Sequence, residues 1–385
     1  MSRIHHTWRC FAGSCLVLAL FACAGNPKAA GPDISPTSPR QVADLQITPP
    51  SSARCRLPVA GFQGARRIWT GFVDLSSGRA IAADLRRSLS TASEVSYETS
   101  SKRWLPVPER AVSPNGKSYA RLEITPAQAS SPASARLSVV EIATGQERLI
   151  WQSQGPNVAV VGWDGNTVMV NRLVGDVARE QGRSARRFSD FVTLWAVDSA
   201  GTALPREVGP AQADYEYFSA GAIHAGYAWG LGPARPSEPS HVELRRLDIR
   251  TGLLSDYLAL DAGFEAGPFG FDSTGRLAML LRPAAAPISS PATSPAAGRR
   301  APRVAVWEGT VRTADLALPS DFSGDSSYGL AIHLDTRGIW LTSHAVLWFW
   351  SARGGELQRV GDLSALAGPA RSSPDLRFTV AGACQ

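Results

Sequence analysis

The chain is poor in lysine: only three of its 39 basic residues are Lys, and the rest are Arg. It holds five Cys, three Met and six His in 385 residues, and charged residues make up just 19% of it. So little charge beside 35 Gly and 27 Pro excludes a coiled coil, and Gly without a three-residue period excludes collagen. An apolar fraction of 44% excludes a disordered chain. Runs of the ~20 apolar residues that a membrane helix needs are missing, which excludes a polytopic membrane protein. The common signatures of chemistry are missing as well. There is no G-x-S-x-G elbow, EF-hand-like loop, H-E-x-x-H, C-x-x-C, P-loop or dinucleotide fingerprint. Asp335-Thr336-Arg337-Gly338-Ile339-Trp340 is only a fragment of a sialidase-type Asp box. The length allows two ordinary domains or one large all-β domain.

What is present begins at the amino terminus. Arg3, His5, His6 and Arg9 precede an apolar run over 11–22 (FAGSCLVLALFA), which reads as a secretory signal peptide over 1–22. Leu20-Phe21-Ala22-Cys23 resembles a bacterial lipobox, in which Cys23 is lipidated and becomes the first mature residue. Cleavage by the ordinary signal peptidase near Ala22 or Ala24 is the alternative. Several acyl chains suffice for a stable anchor where one is marginal. Residues 23–54 then read as lipidated Cys and disordered tether, and 55–385 as the folded domain. Cys10 and Cys15 leave with the signal, so Cys55 and Cys384 remain. In an oxidising compartment they are expected to pair, two unpaired thiols being the alternative. Loss of Arg3 and Arg9 lowers the formal charge from +6 to +4, which is weak for nucleic acid. The expected location is extracytoplasmic, periplasmic or outer-surface, as a membrane-anchored lipoprotein.

From residue 55 onward the apolar pattern is short and alternating, and no 11–18-residue window keeps a helical period. Segments such as RRIWTGFVDL, NVAVVGW, TVMVNRL, HVELRRLDI and VLWFW are dominated by β-branched and aromatic residues. Turn chemistry falls into two alternating series. Tips near 77, 144, 200, 251, 308 and 353 follow strands of the "VxxVDxxTG" type, and tips near 115, 165, 225, 274, 337 and 374 are of the "SPxGK" type. Each series recurs at roughly 45–65 residues, and four strands per unit at such a period predict an all-β six-bladed β-propeller, seven blades being possible, closed by strands from both termini. The tip at 77 would be an outer C–D hairpin and that at 374 an inner A–B hairpin of the same blade. Cys384 would then end strand B, and Cys55 would begin strand C.

Ser113-Pro114-Asn115-Gly116-Lys117 followed by Ser118-Tyr119-Ala120, and Val140-Glu141-Ile142-Ala143-Thr144-Gly145, resemble the repeats of TolB-like and WD40-like propellers. The resemblance covers 55–385. It implies an interaction platform in the cell envelope, with an envelope protein or surface polymer as partner; nucleic acid is not expected as a partner at so low a charge, and a monomeric chain is expected.

In a meander the A–B and C–D turns share one face, while B–C and D–A connections share the other. Four B–C connections are long: Thr125–Ala135, Leu173–Asp190, Gly230–Ser240 and Arg282–Arg303. That face is the expected binding face. Its candidates are Arg183, Arg186 and Arg187, which could meet an anionic lipid or wall polymer, and Asp214, Tyr215, Tyr217, Asp321 and Asp325, which mix acid with aromatic groups. Solvated loops are the plainer reading of all these. Trp348 and Trp350 are expected in the core. No catalytic residue, metal ligand or cofactor is assigned. The alternative functions are a calcium-dependent hydrolase or lyase working at the central channel with an axial calcium, and a carbohydrate or small-ligand sensor.

Overall fold

A computed structural model describes residues 40–83, 92, 94–127, 132–154, 158–173, 192–209, 218–233, 242–261, 263–283, 301–319, 322 and 330–385. In chain order the strands begin with β1 (Arg40–Asp44), β2 (Arg56–Gln63), β3 (Arg66–Asp74) and β4 (Arg79–Ala82). The short hairpin β5 (Ser96–Glu98) and β6 (Arg103–Leu105) leads to a 3-10 turn at Glu109–Ala111. Next come β7 (Ser118–Thr125), β8 (Ser134–Glu141) and β9 (Glu147–Gln154). Four regular meanders follow. The first is β10 (Val158–Asp164), β11 (Thr167–Leu173), β12 (Val192–Asp198) and β13 (Arg206–Gly209). The second is β14 (Ser219–His224), β15 (Tyr227–Pro233), β16 (Val242–Asp248) and β17 (Leu254–Ala259). The third is β18 (Phe264–Phe271), β19 (Leu277–Pro283), β20 (Arg303–Glu308) and β21 (Val311–Ala317). The fourth is β22 (Leu330–Asp335), β23 (Gly338–Ser343), β24 (Val346–Ser351) and β25 (Gln358–Asp362). A final strand, β26 (Leu376–Val380), pairs with β2 rather than with its predecessor.

The result is a six-bladed propeller. Blade 1 runs β26-β2-β3-β4-β1 from the inside out, blade 2 holds β7-β8-β9, and blades 3 to 6 are the four meanders. Six hydrophobic clusters fill the six interfaces of a closed ring, from blades 1 and 2 around to blades 6 and 1. A seventh blade has no place in that circuit. The regular alternation explains why these segments are strands: one row of each sheet packs on the preceding blade and the other on the next. Glycines on three inner strands let the blades approach. A Cβ at Gly162, Gly221 or Gly270 would stand 3.0, 3.0 and 3.2 Å from Ile223, Phe269 and Leu334 of the following blade.

The C–D tips are one device repeated. Gly78, Gly145, Gly201 and Gly252 all lie at φ between 68° and 73°, where a side chain is strained. Each donates its N–H to the carbonyl of the acid that ends strand C: Asp74, Glu141, Asp198 and Asp248.

Three expectations are corrected. The tip near 374 is not an A–B hairpin: it lies on the connection from β25 to β26, after a 3-10 segment at Ser364–Ser372. Only one strand therefore comes from the carboxyl end, so Cys384 follows strand A and Cys55 precedes strand B. The tether does not extend to residue 54 either. β1 is a fifth, outermost strand of blade 1, Ile47 bridges Gly361, and the Thr48 N–H donates to Val360. Finally, blade 2 lacks a full inner strand. A single bridge from Val112 to Tyr119 and the turn at Glu109–Ala111 occupy that position. The β5–β6 hairpin fills the gap toward blade 1, with the Tyr97 N–H donating to the Ala381 carbonyl and with Tyr97 edge-on to both Phe72 and Trp104.

Among the described residues no helix is long and apolar enough to cross a membrane.

Candidate functional site

Five blades have a turn or short connection from strand A to strand B. Blade 1 cannot, because the chain enters and leaves there. In its place the Cys55 and Cys384 sulfurs are joined, with Cα atoms 5.7 Å apart across 329 residues of sequence. The pairing continues to the clasp: Arg56 and Gln385 exchange backbone hydrogen bonds at 3.1 Å in each direction. Both cysteines are buried. Asp335, at the A–B turn of blade 6, is tied to the same point. Its carboxylate accepts from the N–H groups of Arg337 and Gly338, from the Trp340 indole at 3.0 Å and from the Cys384 N–H at 3.3 Å.

A second link spans the closing blade. The imidazole Nδ1 of His333, on the inner strand of blade 6, lies 3.0 Å from Glu109 Oε2 at the inner position of blade 2. The Glu109 side chain keeps 59% of its surface accessible. Burial pushes its carboxyl up, but the charge and hydrogen bond of His333 prevail and hold it below the ordinary value. Burial pushes the His333 imidazole down, and the charge and hydrogen bond of Glu109, with the charge of Asp335, outweigh that and raise it. His333 Nε2 is buried with no hydrogen-bond partner.

Strand direction sorts the two faces. The strand ends at Thr125 and Ser134, Leu173 and Val192, Pro233 and Val242, and Pro283 and Arg303 bound the four long B–C connections. In blades 1 and 6 the same position holds only Gly64-Ala65 and His344-Ala345. The opposite face carries the short A–B and C–D turns. Arg183, Arg186, Arg187, Asp214, Tyr215, Tyr217, Asp321 and Asp325 all lie outside the described residues, as does Cys23.

The acids that end strand C are occupied locally. Asp198 accepts from the backbone of Ala200, Thr202 and Ala203 and from the Thr202 hydroxyl. The Thr202 hydroxyl is the largest cause of a carboxyl pKa lowered to about 2. Asp74 and Asp248 are lowered the same way, by hydrogen bonds chiefly from Ser76 and from the Thr251 backbone. These oxygens serve turns rather than a ligand. Trp348 and Trp350 are buried between blades 5 and 6, as expected. His224 stacks on Phe271 at 4.5 Å, and His344 Nδ1 lies 3.2 Å from the Leu376 carbonyl oxygen. Among the described residues no three His, Cys, Asp or Glu side chains converge on a possible metal position. The Glu109–His333 pair offers one carboxylate and one nitrogen where calcium takes 6–8 oxygens, so the pair by itself is not a calcium site. No sequence signal marked the pair: Glu109 lies in a turn, and His333 looks like any alternating strand residue.

No family model and no curated protein matches the chain. Among solved structures it is similar to the uncomplexed acylaminoacyl peptidase of Pyrococcus horikoshii, at 12% identity and TM-score 0.47 over 83% of this chain and 55% of that one. It is also similar to prolyl oligopeptidase B of Galerina marginata bound to a 35mer substrate, at 11% identity and TM-score 0.42, over 66% of this chain and 33% of that one. TolB of Acinetobacter baumannii gives 11% identity and TM-score 0.38 over 86% and 67%. The chain spans about half the length of the Pyrococcus peptidase and a third of the Galerina enzyme. At these values the likenesses carry no argument about activity, and the propeller assignment rests on strand order and the six interfaces.

Proposed function

We propose that this protein is an exported propeller, anchored to a membrane through lipidated Cys23, that works as a non-catalytic binding platform for an envelope protein or a surface polymer. One observation carries the reading: four long B–C connections and the D–A connections leave the ring on one face, while the other face is closed by tight turns. Loops on a rigid scaffold are where repeat proteins present binding groups. The Cys55–Cys384 disulfide supports an oxidising compartment, consistent with the signal-peptide reading of residues 1–22. The chain acts as a monomer, and neither nucleic acid nor a cofactor is part of the proposal.

The test uses the full chain in detergent-solubilised envelope, compared with a variant whose residues 174–191 and 284–300 are replaced by short Gly-Ser linkers. The reading expects a partner recovered with the native chain and lost with the variant. Equal recovery by both overturns it. For the anchor, Cys23→Ala is expected to abolish lipid labelling and release the protein from the membrane fraction, and unchanged fractionation overturns that part.

A second reading, chemistry at the channel, is favoured by Glu109 and His333. The Glu109 carboxylate is 59% accessible and is held by the His333 imidazole at 3.0 Å, a carboxylate–imidazole pair of the kind that moves protons. Hydrolysis of a substrate panel that disappears in His333→Gln, with folding retained, would favour this reading over the platform.

A further inference from the structure

The interface between blades 4 and 5 carries a cation that has no anion among the described residues. Arg246 on β16 sits between Tyr227 of β15 and Tyr257 of β17, its Cζ 4.8 and 5.0 Å from the two ring centroids. Its Nε is buried without an acceptor, and among the described residues the guanidinium has no ion pair. Its neighbours show the contrast. Arg245, on the other face of the same strand, is 3% exposed and pairs with Asp256 at 2.9 Å. Arg303 over Phe264 and Arg312 over Trp307 also stack on rings, but each has Asp315 within 3.2 Å.

A guanidinium held between two aromatic faces is fixed in orientation, so little further freedom is lost when it binds. Its planar fork matches a carboxylate. The C–D turns of blades 4 and 5 present Leu253 and Val311, 53% and 66% exposed. The Tyr257 hydroxyl lies beside the second turn, 4.0 Å from where a Cβ on Gly309 would stand. Tyrosine and arginine are the residues enriched in protein-recognition patches. A single cation among apolar groups suits the one charge of a carboxylate better than a phosphate.

We propose that Arg246, framed by Tyr227 and Tyr257, is a docking site for an acidic peptide segment, namely a carboxylate side chain flanked by apolar ones. The site lies toward the short-turn face, opposite the B–C connections, so its success or failure is separable from that of the platform reading.

The test is calorimetric titration of the full chain with acetyl-Leu-Asp-Leu-Leu-amide and with its Asn counterpart. Saturable binding of the Asp peptide is expected, at least tenfold weaker for the Asn peptide and at least tenfold weaker in Arg246→Gln. Leu253→Ser, on the exposed turn next to the Tyr–Arg–Tyr stack but not part of it, is expected to weaken binding severalfold without changing the melting temperature. Equal binding of the Asn peptide, or affinity unchanged in both variants, overturns the proposal. So does inorganic phosphate binding where the peptide does not.

Discussion

Glu109 of blade 2 and His333 of blade 6 meet at 3.0 Å across the blade in which the two ends of the chain come together. The contact joins the two blades that flank the seam and bypasses the seam itself. With the disulfide and the bond from Cys384 N–H to Asp335, three kinds of link hold one closure.

The pair sets a pH window. His333 has a raised folded pKa, so its contribution is fully present below 6.5 and is lost as pH rises through the folded value. Glu109 has a lowered one, so its contribution is present above 4.5 and is lost as pH falls. Stability due to the pair is therefore greatest between these limits. Thermal unfolding of Glu109→Gln and native protein should differ by about 1–2 kcal/mol near pH 6, less than the ~3–5 of a fully buried pair because Glu109 stays accessible. The difference should shrink toward pH 9. A constant difference from pH 4 to 9 would remove the ion pair from the account.

The clasp should matter more. Closing 329 residues gives a chain-entropy ceiling of about 5–6 kcal/mol, and native disulfides commonly contribute ~2–5. Cys55→Ser with Cys384→Ser should lower the urea midpoint accordingly. Because both cysteines are buried, a mild reductant should leave the native fold oxidised and act only once denaturant opens it. Rapid thiol labelling of the reduced, undenatured protein would show that the clasp is exposed.

Much of this was legible in the sequence. Glycine turns after Val-Asp-type strand ends need φ > 0, so the C–D tips and strands such as TVMVNRL stand out. The lengths of the B–C connections could be read once those tips were placed. The inner position of blade 2 could not, because Glu109–Ala111 makes a turn where alternation would require a strand. The same limit hid the role of the 374 tip: Ser373-Pro374-Asp375 has turn chemistry but ends a 3-10 connection instead of joining two strands. The Tyr227–Arg246–Tyr257 stack and the Glu109–His333 pair arise from cross-strand and cross-channel meetings that no local spacing encodes.

Acid should unfold the ring through its turns. Asp74, Asp198 and Asp248 have lowered folded pKa values, so their stabilisation is present above an unfolded value of 3.8 and is lost as pH falls, reaching about 2 for Asp198. Asp198→Asn should make stability less steep in pH between about 4.5 and 2. An acid-unfolding curve of unchanged slope would contradict the assignment.

Blade spacing depends on the inner-strand glycines. Gly221→Val would drive side-chain atoms into Phe269, only 3.0 Å from a Cβ at that site, and should cost about 1–3 kcal/mol in denaturant unfolding. Gly165→Ala tests the other property, since a Cβ there meets nothing within 4 Å while φ is +57°. Its cost should be about 1 kcal/mol and purely conformational. Equal costs at the two sites would argue against close blade contact.

The platform reading is tested most directly by photo-crosslinking in intact cells, from a benzoylphenylalanine placed in turn at Thr125 and Arg303 on the B–C face and at Asn166 and Thr336 on A–B turns. The account predicts a discrete crosslinked species from the B–C positions. The absence of any such species, with expression and melting temperature unchanged, would contradict it.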